Sequence, residues 1–289
     1  MKIFPFIKLT RPFNSFMMGL AVIIGLQIAN PHWTNLEYEF IFGKFSYHFL
    51  IVISFITAFF ITASSMVLND YADYFIDKIN SPNKPLPSGL IKRNVALYYG
   101  IILALIGLTS SFFIKNLISI ILAITGFLVA LIYNFYFKKK GFIGNSLVAY
   151  TTALPFIYGA SLVYFKNFLF IFILSLMAFL SNLSREIIKG IVDIEGDSRM
   201  NVKTLAITKG PLFAAKIASI FIIVAIIISL FPFFFSFSLY YILFILVSDS
   251  IFLLYTVKLL KNPSKDISYK TKKMYLIAMF IALLGFLFL

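Results

Sequence analysis

The chain has 289 residues, of which 61% are hydrophobic, 18% aromatic and only 12% charged. A soluble domain carries about a quarter charged residues, so an ordinary globular enzyme, a disordered chain and a nucleic-acid-binding domain are excluded. The net charge of +14 does not point to nucleic acid either, because the basic residues punctuate apolar runs and form no single solvated face.

Apolar runs recur along the whole chain, and a membrane helix needs about 20 such residues. The runs 13–29, 49–68, 95–114, 117–133, 146–165, 168–183, 212–230, 238–257 and 274–289 predict nine transmembrane helices. Lipid leaves no water for backbone N–H and C=O groups, so runs this apolar are helices and the fold class is all-α. The sixth run is short and is expected to continue as helix beyond Leu183. The basic, then apolar, N-terminus resembles a signal peptide. Its apolar run is long, however, no small-x-small site follows, and many spans come after it, so retention is expected. No linker or low-complexity stretch interrupts the chain, which reads as one membrane domain over 1–289.

Basic residues orient the spans. One set of termini and loops holds Lys2, Lys8, Arg11, Lys78, Lys84, Lys92, Arg93 and Lys138 to Lys140. The same side holds Arg185, Lys189, Arg199, Lys203, Lys209, Lys216, Lys258, Lys261, Lys265, Lys270, Lys272 and Lys273. The other side has only Lys44, Lys115 and Lys166, so 22 of the 25 basic residues fall on one side. The N-terminus is therefore expected in the cytoplasm and the C-terminus outside. Three cytoplasmic loops, roughly 69–94, 134–145 and 184–211, are long for a membrane protein of this size and are expected to carry function.

With no cysteine, thiolate chemistry is excluded, and the two histidines, His32 and His48, share one outside loop. The acids are the informative residues. Seven of eleven fall in two clusters: Asp70, Asp73 and Asp77, then Glu186, Asp193, Glu195 and Asp197. The clusters follow the second and sixth spans, which run in the same direction, and this spacing points to two related four-helix halves. Asp70, Asp73 and Asp77 lie at i, i+3 and i+7, and Asp193 and Asp197 at i and i+4. On a helix each set projects from one face. One such Asp would read as a solvated helix end paired to a lysine. Several carboxylates on one face repel unless a cation sits between them. Hard oxygen ligands without His or Cys point to Mg²⁺ completed by substrate phosphates. Lys84, Arg185 and Lys189 lie near the clusters in sequence, Lys138 to Lys140 and Arg11 fall at the same expected membrane surface, and cations are what departing phosphate oxygens need.

The run Asn69-Asp70-Tyr71-Ala72-Asp73-Tyr74-Phe75-Ile76-Asp77 resembles the NDxxDxxxD signature of the UbiA superfamily of intramembrane prenyltransferases. The run Asp193 to Asp197, DIEGD, is similar to its second motif, DxxxD. Further resembling segments are Thr10 to Asn14, Asn69 to Gly89, Tyr133-Asn134, Gly144-Asn145, Arg185 to Lys189 and Lys203 to Ala206. These are most similar to the archaeal members that form the second ether bond of archaeal lipids. Where relatives often read RPNRP, this chain has Ser81-Pro82-Asn83-Lys84-Pro85, so a lysine replaces an arginine fork.

The resemblance implies nine helices around a central cavity open to the bilayer, in a multi-pass protein of the cell membrane with its active site on the cytoplasmic side. It implies that Asn69, Asp70, Asp73, Asp77, Asp193 and Asp197 hold Mg²⁺ and a prenyl diphosphate, with Asp73, Asp193 and Asp197 catalytic. It implies substrate contacts from Arg11, Asn14, Lys84, Tyr133, Lys138, Lys139, Asn145, Arg185, Lys189 and Lys203. The expected reaction moves a geranylgeranyl group from geranylgeranyl diphosphate to geranylgeranylglyceryl phosphate, a lipid-like phosphate acceptor. Two other readings compete: transfer to an aromatic quinone precursor or haem, and transport of a divalent cation or phosphate. Asp249, inside the eighth span, is assigned no part in the site.

Overall fold

The computed structural model describes residues 3–30, 37–163, 167–234 and 238–289, so Lys2, His32 and Lys166 lie outside the described residues. The chain divides into two units, residues 1–135 with 154–171 and residues 136–153 with 172–289.

The first unit opens with α1 (Phe4–Leu9) and α2 (Pro12–Ala29). Pro12 suits the first helical position, where its missing N–H costs nothing. A hairpin of β1 (Glu37–Phe40) and β2 (Gly43–Ser46) follows, then α3 (Tyr47–Ala72), α4 (Tyr74–Asn80), α5 (Arg93–Phe113) and α6 (Leu117–Ile132). Asn116 caps α6 by accepting the Ser119 N–H at 3.1 Å. Buried Leu9, Ala63, Val67, Leu86, Ile91, Ala96 and Leu103 form a core that ties α1, α3 and α5 to the turn after α4. On α2, a Cβ at Gly25 would strike the Phe156 carbonyl oxygen, so the bare backbone is what lets these two segments approach.

The second unit holds most of α7 (Phe142–Ser161) and α8 (Phe168–Val192). It continues through α9 (Ile194–Arg199), α10 (Leu205–Thr208), α11 (Pro211–Ser229), α12 (Leu239–Lys261) and α13 (Lys265–Phe286). Its core joins Leu183, Ile187 and Ile191 of α8 to Ala214, Ala215, Ala218 and Ile222 of α11, Phe252 and Leu259 of α12, and Tyr275 and Ala278 of α13. The alanines keep one face of α11 thin, and Ser184 uses it to donate to the Ala218 carbonyl at 2.7 Å. Ser248 donates to the Ala278 carbonyl at 2.9 Å, joining α12 to α13.

Among the described residues, seven helical segments are long and apolar enough to cross a membrane: Pro12–Ala29, Tyr47–Ala72, Arg93–Phe113, Leu117–Lys140, Phe168–Val192, Pro211–Phe233 and Leu239–Lys261. Such a chain is a multi-pass membrane protein. The predicted runs 146–165 and 274–289 fall on α7 and α13, which are helical but stand outside these seven. Polar Thr151, Thr152 and Pro155 dilute α7, and α13 begins with charged residues.

Two expectations are corrected. The loop before α3, expected on the outside, carries a strand pair, with Glu37 opposite Ser46 and Phe40 opposite Gly43. The Ile41 N–H donates to the Phe113 carbonyl at 3.1 Å, which ties the hairpin to α5. The long segments expected in the cytoplasm are also largely helical: α3 runs to Ala72, α8 to Val192, and α4, α9 and α10 fill much of the rest. The sixth span does continue past Leu183, as its shortness required.

Candidate active site

Both acidic motifs sit where a long helix gives way to a short one. In the first unit α3 ends at Ala72, Asp73 is the junction (φ −82°, ψ 1°), and α4 starts at Tyr74. In the second, α8 ends at Val192, Asp193 is the junction (φ −99°, ψ 10°), and α9 starts at Ile194. The i→i−4 hydrogen bonds persist through both junctions. The Asp73 N–H reaches the Asn69 carbonyl at 2.8 Å, and the Asp77 N–H reaches that of Asp73 at 2.8 Å. The Asp193 N–H reaches Lys189, and the Asp197 N–H reaches Asp193, both at 3.0 Å. The carboxylates therefore keep a helical order although each helix is interrupted between them.

Asn69, Asp70, Asp73 and Asp77 are all buried. Removing a carboxylate from water costs several kcal/mol unless a counter-charge and hydrogen bonds replace it. Here two cations do. Arg11 Nη2 lies 2.7 Å from Asp70 Oδ1, and Lys84 Nζ lies 3.1 Å from Asp70 Oδ1 and 2.7 Å from Asp77 Oδ2. The neighbouring Asp70 carboxylate strengthens proton binding by the Arg11 guanidinium, against the opposing effect of burial. Burial pushes the Asp77 carboxyl up, and Lys84 pulls it back only in part.

Local structure aims these cations. Arg11 adopts the left-handed conformation (φ 45°) just before α2, a strained position for a non-glycine residue. Lys84 sits in the proline-stiffened turn after α4, where its N–H donates to the Ser81 carbonyl at 3.0 Å and its carbonyl accepts from Ser88 N–H at 3.0 Å. Leu86, two residues on, is buried in the core and anchors the turn. Arg93 braces the motif from α5: its guanidinium lies 4.4 Å from the Tyr71 ring centroid, 5.5 Å from Tyr74 and 5.4 Å from Phe75. Asn69 donates to Asn134 Oδ1 at 2.9 Å, and Asn134 Nδ2 donates to the Ser65 carbonyl at 3.4 Å. Tyr133 and Asn134 are buried in a π-turn, Tyr133–Phe137, that closes α6.

In the second unit Asp197 is buried and Asp193 half-buried. Glu186, also buried, bridges Arg185 at 3.0 Å and Lys189 at 3.2 Å. Glu195 lies on the exposed side, paired with Arg199 at 3.3 Å. The Lys203 N–H donates to the Lys139 carbonyl at 3.1 Å, and Gly141 (φ 55°) sits against the Lys203 carbonyl. The backbones of these two lysine segments are thus clasped, while the Lys139 and Lys203 side chains are exposed.

Of the residues singled out from sequence, Arg11, Asp70, Asp77 and Lys84 are brought into contact. Arg185 and Lys189 meet through Glu186. Asn14, Lys138 and Asn145 are half-buried on α2, after the π-turn and on α7. Sequence reasoning missed the bridging part of Glu186, the Asn69–Asn134 link and the bracing part of Arg93. The last had a visible signal in the aromatic residues at the variable positions of the first motif. Asp249 accepts from Ser229 Oγ at 2.8 Å.

Among the described residues no three acidic or histidine side chains converge closely enough to hold a metal by themselves. The donor set nevertheless fits a hard divalent ion. It consists of buried carboxylate oxygens on successive turns, with cations beside them, and such ions bind through one or two carboxylates plus substrate phosphates.

In each unit carboxylates with cations beside them lie at the end of a long apolar helix, an arrangement that suits an intramembrane enzyme whose substrate carries phosphate. The UbiA prenyltransferase family matches residues 18–284, and the chain belongs to that family. It is similar to the digeranylgeranylglyceryl phosphate synthase of Methanosphaera stadtmanae, 37% identical over 98% of this chain and 97% of the relative. A solved structure of a digeranylgeranylglyceryl phosphate synthase is similar at 32% identity and TM-score 0.70, over 98% of this chain and 96% of that one. A UbiA homolog from Archaeoglobus fulgidus, bound to GPP and Mg²⁺, shares the fold at 17% identity and TM-score 0.63, over 98% of this chain and 99% of that one. Membership of a prenyltransferase family sets the transport reading aside.

Proposed function

We propose that this chain is a Mg²⁺-dependent prenyltransferase that alkylates the free hydroxyl of geranylgeranylglyceryl phosphate with the geranylgeranyl group of geranylgeranyl diphosphate. The observation that carries the reading is Lys84 Nζ held between Asp70 and Asp77, at 3.1 and 2.7 Å. It marks a buried carboxylate face built to hold positive charge. The choice of substrates follows the full-length similarity to digeranylgeranylglyceryl phosphate synthases, 37% for one and 36% for that of Thermococcus sibiricus.

When bound, Mg²⁺ would supply Lewis-acid stabilisation of the departing diphosphate. Asn69, Asp70, Asp73 and Asp77, with Asp193 and Asp197, would hold it. Arg11, Lys84 and the basic residues Lys138, Lys139, Arg185, Lys189 and Lys203 neutralise phosphate oxygens, and Asn14, Tyr133 and Asn145 orient the substrates. The bond from C1 to the diphosphate oxygen breaks, a bond from C1 to the acceptor oxygen forms, and the hydroxyl proton passes to a carboxylate, Asp193 or Asp197. Asp73, the middle carboxylate of the first motif, would be one of the groups holding the ion that the departing diphosphate needs. The apolar walls expected of a cavity open to lipid keep water from the allylic cation.

The same reading makes α7 and α13 spans, giving nine across the cell membrane in a single domain. The N-terminus and the site then lie on the cytoplasmic side, supported by the 22-to-3 division of basic residues. An acceptor panel tests the function. Purified protein with Mg²⁺ and geranylgeranyl diphosphate is given geranylgeranylglyceryl phosphate, hydroxybenzoate or dihydroxynaphthoate. Product from the ether phosphate alone is expected. A prenylated aromatic without ether product would overturn the assignment.

A further inference from the structure

The topology rule asks only for positive charge near the ends of spans. Lys92 and Arg93 both satisfy it in sequence, yet the structure treats them differently. Lys92 is exposed, whereas Arg93 is half-buried at the first position of α5. A helix N-terminus carries partial positive charge and disfavours a cation there. What holds Arg93 is the side of the first acidic motif that the carboxylates do not occupy.

Asp70, Asp73 and Asp77 are followed one residue on by Tyr71, Tyr74 and Lys78. This second set repeats the i, i+3, i+7 spacing about 100° further around the helix. It also meets a cation, but through ring faces. The Arg93 guanidinium lies 4.4 Å from the Tyr71 ring centroid, 5.5 Å from that of Tyr74 and 5.4 Å from that of Phe75. Arg93 Nε also donates to the Tyr71 carbonyl at 3.4 Å, in the last turn of α3. Within the motif itself, Lys78 Nζ lies 4.7 Å from the Tyr74 centroid.

The placement of these contacts decides their use. The junction between α3 and α4 is Asp73. Tyr71 precedes it on α3, and Tyr74 and Phe75 follow it on α4. Arg93 therefore grips both sides of the interruption from a third helix. The bend at that junction sets the separation of Asp70 and Asp77, which is short enough for the Lys84 ammonium to bridge them at 3.1 and 2.7 Å. A lysine could cover one ring, as Lys78 does, but it lacks the planar fork that faces several rings and still donates to a carbonyl.

We propose that Arg93 is a positioning residue. By clamping Tyr71 to Tyr74 and Phe75 across the junction, it holds Asp70 and Asp77 at the spacing that receives Mg²⁺ with a diphosphate. It acts through the two helices and not on the reacting atoms. This rests on the reading that the motif binds a Mg²⁺–prenyl diphosphate. The test uses purified full-length protein, the variants Arg93→Met, Arg93→Lys and Tyr74→Leu, and the double variant Arg93→Met with Tyr74→Leu. Calorimetry measures binding of the unreactive thiolo analogue of geranylgeranyl diphosphate with Mg²⁺, and steady-state kinetics gives KM for each substrate.

In Arg93→Met, analogue binding is expected to weaken and the diphosphate KM to rise about tenfold, the low end of what losing a partner behind a metal ligand costs. The acceptor KM stays unchanged. Arg93→Lys is expected to recover only part of the loss. The double variant should lose little more than Arg93→Met alone, because both residues act through one clamp. Arg93→Lys that melts normally and binds the analogue as wild type does would reduce Arg93 to a topology charge, and it decides the matter even where Arg93→Met fails to fold. Losses that add fully in the double variant, or an equal rise in the acceptor KM, also overturn this inference while leaving the site reading intact. Wild type that does not bind the analogue with Mg²⁺ overturns the site reading and this inference with it.

Discussion

Lys84 donates to two buried carboxylates seven residues apart in sequence, and Arg11 joins it from 59 residues away. The i, i+3, i+7 spacing made the acids legible, and the turn made Lys84 legible. Burial was not legible, because it depends on Leu86 and the aromatic brace of Arg93 closing over the motif. Asp73 holds the central place in that ladder. Asp73→Asn is expected to cut turnover at saturating Mg²⁺ about a hundredfold or more, since even outer-shell partners of metal sites cost about 10–100-fold. Near-wild-type turnover would remove Asp73 from the metal-binding set. Asp77 separates activity from stability. Burial raises its carboxyl above the ordinary carboxylate range. A raised acid favours the fold below its unfolded value, and that contribution is lost as pH rises through the folded value. At neutral pH, ionised Asp77 is thus a net cost, which Lys84 offsets only in part. Asp77→Asn is expected to lose activity while melting at or above the wild-type temperature at neutral pH. A melting point several degrees lower would contradict this account.

At the scale of elements, hydropathy located the long helices because lipid and core both demand apolar side chains. It misjudged their ends. The segments after α3 and α8 are polar and read as loops, yet they bury Asp73, Asp77 and Asp197, and they continue as helix to satisfy their backbone. A regular spacing reads as one helix, and the junctions at Asp73 and Asp193 left no mark on it, because the i→i−4 bonds cross them. The hairpin of β1 and β2 was hidden for another reason: each strand has four residues, too few for an alternating pattern to stand out. The clasp between the lysine turn and the segment after α9 shows how such elements are held. Gly141 has a positive φ and its missing Cβ leaves room for the Lys203 carbonyl. Gly141→Ala is expected to destabilise the protein by about 1–3 kcal/mol from backbone strain, before the clash is counted. Detergent melting curves measure this directly, and an unchanged midpoint would show that the clasp yields freely.

For the whole molecule, each unit carries one acidic motif at the interrupted end of a long helix, which is the pattern expected of two related halves. The division of basic residues could be read from sequence because the positive-inside rule acts on composition and needs no contacts. Contacts were what separated Arg93 from its neighbour Lys92, which the same rule counts alike. Orientation itself can be tested cleanly, because the chain contains no cysteine. Single cysteines at exposed Lys44 in the hairpin and exposed Ser88 in the turn after α4 lie on either side of α3. If α3 spans the bilayer with the acidic motif inside, intact cells treated with a membrane-impermeant maleimide should label Lys44→Cys and spare Ser88→Cys. Inverted vesicles should reverse the pattern. Labelling of both sites from one side would mean that α3 does not cross the membrane, and labelling of Ser88→Cys alone in intact cells would turn the molecule over and put the motif outside.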